Sequence, residues 1–154
     1  MKTRRIPSFV LLTAIFCAAL AAAACSSAEA TVDPLEIGDP EIGREVFSDT
    51  QRTRCERCHT LDGGTYRPGP TLLGIPSVAG QRVADLSAAE YLRQSILDPQ
   101  AYIVEGFADV AAIELMPAYT LTEPGENGQM EVGTLTDDEL NHLIAFLLTL
   151  DQEE

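Results

Sequence analysis

This chain of 154 residues has no tryptophan and only one lysine, Lys2. Beyond residue 24, seven arginines stand against 24 acidic residues, a net charge of about −17. This is the opposite of the cationic surface that binds nucleic acid or anionic lipid headgroups, so neither is an expected partner of the folded part. Two interpretations stay open: a solvated acidic surface, or a partner protein with a basic docking surface.

Histidine and cysteine are also scarce, with two and four copies. Cys17 lies in the apolar start of the chain and Cys25 at its end, which leaves Cys55 and Cys58 as the only pair in the remainder. A structural zinc site takes four protein ligands, usually from two separated pairs. One cysteine pair therefore does not predict such a site.

The first 24 residues have the composition of an export signal. A short basic stretch, MKTRR, precedes the apolar run IPSFVLLTAIFCAALAAAA, and together they predict a signal peptide over residues 1–24. Small residues directly before Cys25 resemble a bacterial lipoprotein signal, in which that cysteine becomes the lipidated first residue. An uncleaved anchor helix and a soluble periplasmic product stay open. We expect an extracytoplasmic protein, lipid-anchored at Cys25, with a flexible tether over 25–38 and one domain over 39–152.

Helix signals recur through that domain, and no segment shows the alternating pattern of a strand. Asp39 and Pro40 predict a helix start. Two further starts are predicted by capping boxes, Ser87 with Glu90 and Thr136 with Glu139. The last predicted helix has an apolar stripe at helical spacing: Leu140, Leu143, Ile144, Leu147 and Leu150. These patterns indicate an all-α domain.

The chemistry of the chain centres on Cys55, Cys58 and His59, which form C-x-x-C-H. A redox dithiol of the thioredoxin type requires a strand before the motif and a helix after it, whereas a predicted helix precedes it here. C-x-x-C-H is the attachment signature of c-type haem. Two thiols one short turn apart can add to the two vinyl groups of a haem, and the histidine that follows is placed beneath the iron.

At this point the sequence resembles the class I cytochromes c, over roughly residues 40–150. The resemblance rests on G-x-x-x-F at Gly43 and Phe47, CERCH, GPTL, YLRQSILDP, a Met-Pro pair and the closing LTDDEL…LIAFLLTL. It is strongest to small bacterial cytochromes and to the modules attached to respiratory oxidases. The resemblance implies a cytochrome c fold in which helices wrap one covalent haem c. It also implies that the first and last helices cross at Gly43, with Phe47 and Phe146 packed there.

The resemblance also implies the iron ligands and their surroundings. His59 would be the proximal ligand, oriented by the carbonyl of Pro70, and Met116 in ELMPAY the distal one. Met130, in a polar stretch, and His142, expected at the surface, are weaker candidates. Haem propionates need donors, for which Arg82 is the first candidate, followed by Arg67 and Tyr91, the last also a pocket residue.

A histidine and methionine pair fills both axial positions, which suits the transfer of single electrons and leaves no site for oxygen or peroxide. We therefore expect an electron-transfer protein rather than an enzyme, acting between membrane redox complexes as donor and acceptor. A permanent haem subunit of an oxidase or dehydrogenase stays open. So does a haem enzyme or sensor, if the sixth site were open.

Overall fold

The fold is built around two crossing helices from opposite ends of the domain. The structure, a computed structural model, describes residues 33–65, 67–107, 116–125 and 130–151. Cys25, the predicted signal and most of the predicted tether lie outside these residues. The helices are α1 Pro34–Ile37, α2 Pro40–Ser48, α3 Ile75–Ala79, α4 Ala88–Leu97 and α5 Asp137–Leu147, with a 3₁₀ turn at Cys55–Arg57. The strands are β1 Thr120–Leu121 and β2 Thr134–Leu135.

The helix starts lie where the sequence predicts them. The side chain of Asp39 accepts a hydrogen bond from the backbone N–H of Glu41, and Pro40 begins α2. Both capping boxes are present, at the starts of α4 and α5. Each box satisfies backbone donors that have no partner within the helix. Helix α4 ends at Leu97 with Asp98 as its C-cap, because the proline that follows disfavours a helical Asp98.

Helices α2 and α5 cross in close contact. A Cβ built on Gly43 would lie 1.9 Å from the carbonyl oxygen of His142, so only glycine lets the backbones approach this closely. The rings of Phe47 and Phe146 pack beside this point, with centroids 5.6 Å apart. The crossing and both of its aromatic residues are thus as expected.

His142 is not the simple surface residue that the sequence predicts. Its Nδ1 accepts a hydrogen bond of 2.7 Å from the backbone N–H of Asp39, and its side chain is partly buried. Because an accepting Nδ1 has to be unprotonated, the neutral imidazole makes this bond. His142 therefore connects the start of α2 to α5.

The apolar stripe of α5 forms much of the core. Leu140, Leu143, Ile144 and Leu147 are buried, and Leu150, just beyond the helix, packs half-buried against the same cluster. Side chains from the other helices complete it: Val46, Phe47, Ile75, Ala79, Tyr91, Leu92 and Ile96. No helix in the described ranges is long and apolar enough to cross a membrane.

Two local features differ from the sequence-based expectation. Within the predicted tether, Pro34–Ile37 forms a single helical turn, and Ile37 packs against the core. A Cβ on the adjacent Gly38 would lie 2.8 Å from the backbone nitrogen of His142, so this segment passes directly over α5. Strands β1 and β2 pair in parallel over two residues each, too few to produce an alternating pattern. Both features depend on partners remote in sequence.

Candidate functional site

The cysteine pair lies on a short, well-anchored turn. Arg54 has a positive φ of 58° and leads into the 3₁₀ turn Cys55–Arg57. The carbonyl oxygen of Cys55 then accepts hydrogen bonds from the backbone N–H groups of Cys58, at 3.1 Å, and His59, at 3.0 Å. This turn places both partly buried, unpaired thiols and the imidazole within one compact segment.

A backbone carbonyl fixes the orientation of the His59 ring. Its Nδ1 lies 2.8 Å from the carbonyl oxygen of Pro70, and since a carbonyl only accepts, Nδ1 carries the proton. Burial lowers the pKa of His59 below its usual value, although the bond to Pro70 opposes this change. The favoured form is therefore a neutral imidazole with a free lone pair on Nε2, which is the form that binds metal ions.

Gly69 makes this arrangement possible. A Cβ on Gly69 would lie 2.7 Å from the carbonyl oxygen of Cys58 and 2.9 Å from Cε1 of His59. The Gly69 N–H donates to that same Cys58 oxygen at 2.8 Å. The backbone before Pro70 thus lies directly against the imidazole ring, which leaves no room for a side chain.

The thiols and the imidazole line a large apolar cleft. The unfilled space of the cleft is about 1100 Å³, a figure that includes the solvent at its open mouth. Its walls come from every described helix except the short α1. They include Phe47, Leu72, Ile75, Leu92, Ile96, Leu143 and Leu147.

Of the three sulfur and nitrogen candidates for the second axial position, Met116 lies on this cleft. It is half-buried and packs against the core. Neither Met130 nor His142 is among the residues that line the cleft, and Nδ1 of His142 is already bonded to Asp39. The structure thus brings Met116 together with Cys55, Cys58 and His59 on one cavity.

The candidate propionate donors also reach the cleft. An Nη1–H of Arg82 donates to the hydroxyl oxygen of Tyr91 at 2.9 Å, and the guanidinium lies 5.3 Å from the centre of the Tyr91 ring. Tyr91 is buried and packs edge-on against Tyr102, with centroids 5.8 Å apart. All three residues line the cleft. Arg67 is described but is not among its lining residues.

Electrostatics around Cys55 do not suit a redox dithiol. Burial raises the pKa of the Cys55 thiol to about 11, although the neighbouring Thr53 and Tyr119 oppose the rise. Reactive cysteines of the thioredoxin type have a lowered pKa, because the thiolate is the nucleophile. Cys55 is therefore a neutral, partly buried thiol at neutral pH.

Tyr119 belongs to the site but was missed by the sequence analysis. Its hydroxyl donates to the backbone carbonyl of Thr53, two residues before Cys55. The aromatic residue three positions after Met116 was the available signal. It gave no indication of the hydroxyl's partner, which is 66 residues away.

The residues on the cleft fit a covalently attached haem. Two thiols can form the thioethers, a neutral imidazole with a free Nε2 and a thioether sulfur can face the iron, and the walls are apolar. Among the residues that the structure describes, no three His, Cys, Asp or Glu side chains lie close enough together to bind a metal ion directly.

Comparisons with known proteins agree with this geometry. The family model described as "Cytochrome c" matches residues 40–151. A curated relative, "Cytochrome c 2.1" of Caenorhabditis briggsae, is 35% identical over 78 residues, which cover 43% of this chain and 66% of the relative's length. No solved structure matches the chain. The chain belongs to the cytochrome c family, whose domain binds haem c covalently, and Cys55, Cys58 and His59 fit the family's attachment motif.

Proposed function

We propose that this protein is a one-electron carrier with one haem c, attached through Cys55 and Cys58 and held between His59 and Met116. The observation behind the proposal is that all four side chains lie on a single apolar cleft. Bound haem supplies a one-electron couple at its iron. His59 and Met116 would hold that iron and the apolar side chains of the cleft would surround the haem, so that little would have to rearrange when the electron moves.

The two ligands bias the iron toward its reduced state. A neutral imidazole and a soft thioether favour ferrous iron and raise the reduction potential. The bond between Nδ1 of His59 and the carbonyl of Pro70 holds the ring in one orientation. With His59 and Met116 both holding the iron, no position would remain for a small molecule, which would separate a carrier from an oxygen- or peroxide-using enzyme.

The visible and near-infrared spectrum of the haem-loaded protein tests the ligand assignment. Wild type should show the weak near-infrared band of ferric haem bound to methionine sulfur. Met116→Ala should lose that band and its ferrous form should bind carbon monoxide. Met130→Ala is the matched control and should keep the band. If ferrous wild type binds carbon monoxide readily and lacks the band, the sixth site is open and a sensor or enzyme replaces the carrier.

We also propose that the protein works outside the cytoplasm, anchored by a lipid on Cys25, and passes electrons between membrane redox complexes. The support is in the sequence: a signal-like start, a cysteine at its end and a strongly acidic remainder. Cys25→Ser should move the haem protein from the membrane fraction to the soluble fraction. If it stays with the membrane, the lipid anchor is wrong. Co-purification of this variant with a membrane complex would favour the permanent-subunit alternative.

A further inference from the structure

Tyr119 makes two hydrogen bonds that join separate parts of the site. Its side chain is only 7% exposed. Its hydroxyl donates to the carbonyl oxygen of Thr53, and its backbone N–H donates to the carbonyl oxygen of Ile96, in α4, at 3.1 Å. Tyr119 therefore connects its own segment to α4 and to the turn that precedes Cys55.

The acceptor of the hydroxyl is itself firmly placed. Thr53 is 2% exposed, and its own hydroxyl donates to the carbonyl of Val46 at the end of α2. The next residue, Arg54, donates its N–H to the carbonyl of Asp49 at 2.7 Å. The carbonyl of Thr53 is thus a fixed point on the haem-attachment turn.

Beyond Tyr119 the chain is held by the short parallel ladder. The N–H of Thr120 donates to the carbonyl of Gly133 at 3.0 Å, and that of Thr122 to Leu135 at 2.9 Å. Leu135 is completely buried. Met116 is only three residues before Tyr119, so their Cα atoms are at most about 11 Å apart in any conformation. Fixing Tyr119 therefore confines Met116 to the region of the cleft.

We propose that Tyr119 is a positioning residue that holds Met116 at the cleft by tying its segment to the carbonyl of Thr53. This inference rests on the proposed function, in which Met116 is the axial ligand. The hydroxyl contributes because it donates to a backbone carbonyl, that of Thr53, two residues before Cys55. Loss of the bond leaves that buried carbonyl unsatisfied while the phenyl ring still fills its space.

Displacement of Met116 and opening of this tether are coupled. A ligand that replaces Met116 has to work against every contact that holds the segment in place. By linkage, weakening the tether strengthens binding of the competing ligand, and binding of that ligand weakens the tether by the same factor. A hydrogen bond of ordinary net strength corresponds to a factor of about three to ten.

Imidazole binding to the ferric, haem-loaded protein tests this coupling. Tyr119→Phe should bind imidazole roughly threefold to tenfold more tightly than wild type. Thr149→Val is the matched control, because the Thr149 hydroxyl also donates to a backbone carbonyl, that of Phe146, but lies away from the cleft. It should lower the unfolding midpoint and keep the wild-type imidazole affinity. A wild-type affinity in Tyr119→Phe overturns the proposal.

A second measurement uses wild type alone and does not depend on how well a variant folds. Saturating imidazole should speed hydrogen exchange of the Tyr119 amide, which is bonded to Ile96, and leave the Leu148 amide in its bond to Ile144 unchanged. Unchanged exchange at Tyr119 overturns the proposal.

Met116→Ala separates the two possible failures. If it loses the near-infrared band while Tyr119→Phe behaves as wild type, only the role of Tyr119 fails. If it keeps the wild-type spectrum, the ligand assignment fails and the role of Tyr119 with it.

Discussion

The α-carbon of Gly43 faces the carbonyl oxygen of His142 so closely that an added Cβ would lie 1.9 Å from it. Gly43→Ala should therefore force α2 and α5 apart and cost about 3 kcal/mol of unfolding free energy, the upper part of the overpacking range. Denaturant unfolding of the haem-loaded protein measures this.

Gly106→Ala is the control for that substitution. Gly106 has a positive φ of 86° but open space where a Cβ would lie, so only backbone strain opposes the change. The expected cost is about 1 kcal/mol. Equal losses in the two variants would contradict the idea that the helix crossing requires glycine.

Gly69→Ala should disturb the metal site rather than the helix crossing. Its Cβ would meet Cε1 of His59 at 2.9 Å and the carbonyl of Cys58 at 2.7 Å. We expect the unfolding free energy to fall by about 1–3 kcal/mol. The reduction potential should rise, because a weaker hydrogen bond from Nδ1 of His59 to Pro70 makes the imidazole less basic. Potentiometry checks this. A potential unchanged from wild type, despite lowered stability, would contradict it.

Acid should destabilise the fold through Glu139. Burial raises the pKa of this carboxyl, but hydrogen bonds from Arg52 and Thr136 lower it by more, to a net value below 4.5. The unfolded state therefore binds the proton first, so this stabilising contribution is complete above about pH 4.5 and is lost as the pH falls through the folded value.

Glu139→Gln tests that assignment. The two oxygens of Glu139 accept from Arg52 at 2.7 and 3.0 Å, so the variant should lose about 1–2 kcal/mol at pH 7. Below pH 4.5 its unfolding free energy should fall less steeply than that of wild type. The control is Glu123→Gln, at an exposed position. Its unfolding free energy, from denaturant titrations at several pH values, should match that of wild type. If the unfolding free energies of Glu139→Gln and wild type fall equally steeply below pH 4.5, the prediction is wrong.

Net charge should govern reaction rates with small redox partners. Oxidation of the ferrous protein by a cationic cobalt complex should slow as salt rises, because the Debye length falls from about 30 Å at 0.01 M to about 10 Å at 0.1 M. Oxidation by anionic hexacyanoferrate should become faster over the same range. Stopped-flow rates at several ionic strengths measure both. The same salt dependence for the two reagents would argue against an acidic surface where the protein exchanges electrons.

Local signals predicted most of the helices and the haem-attachment motif. Capping boxes, a proline after the N-cap and a Pro after Asp98 act within a few residues, so their physics is visible in the sequence. The other site residues, such as Pro70, Met116 and Tyr91, could be expected on the cleft only because the family resemblance supplied the three-dimensional frame.

The remaining features depend on contacts between distant residues. The bond from Asp39 to His142 spans 103 residues and that from Arg52 to Glu139 spans 87. No local pattern encodes such partners. The helical turn Pro34–Ile37 and the hydroxyl partner of Tyr119 were missed for the same reason.

The crossing of α2 and α5 has a consequence for the order in which the site is completed during synthesis. A chain that ends at residue 136 already contains both thiols, His59 and Met116. It lacks Leu143 and Leu147, which form one wall of the cleft, and the helix against which α2 packs. The cleft therefore cannot close until α5 has been made and has packed against α2, and before that the cysteine pair stands at an open edge.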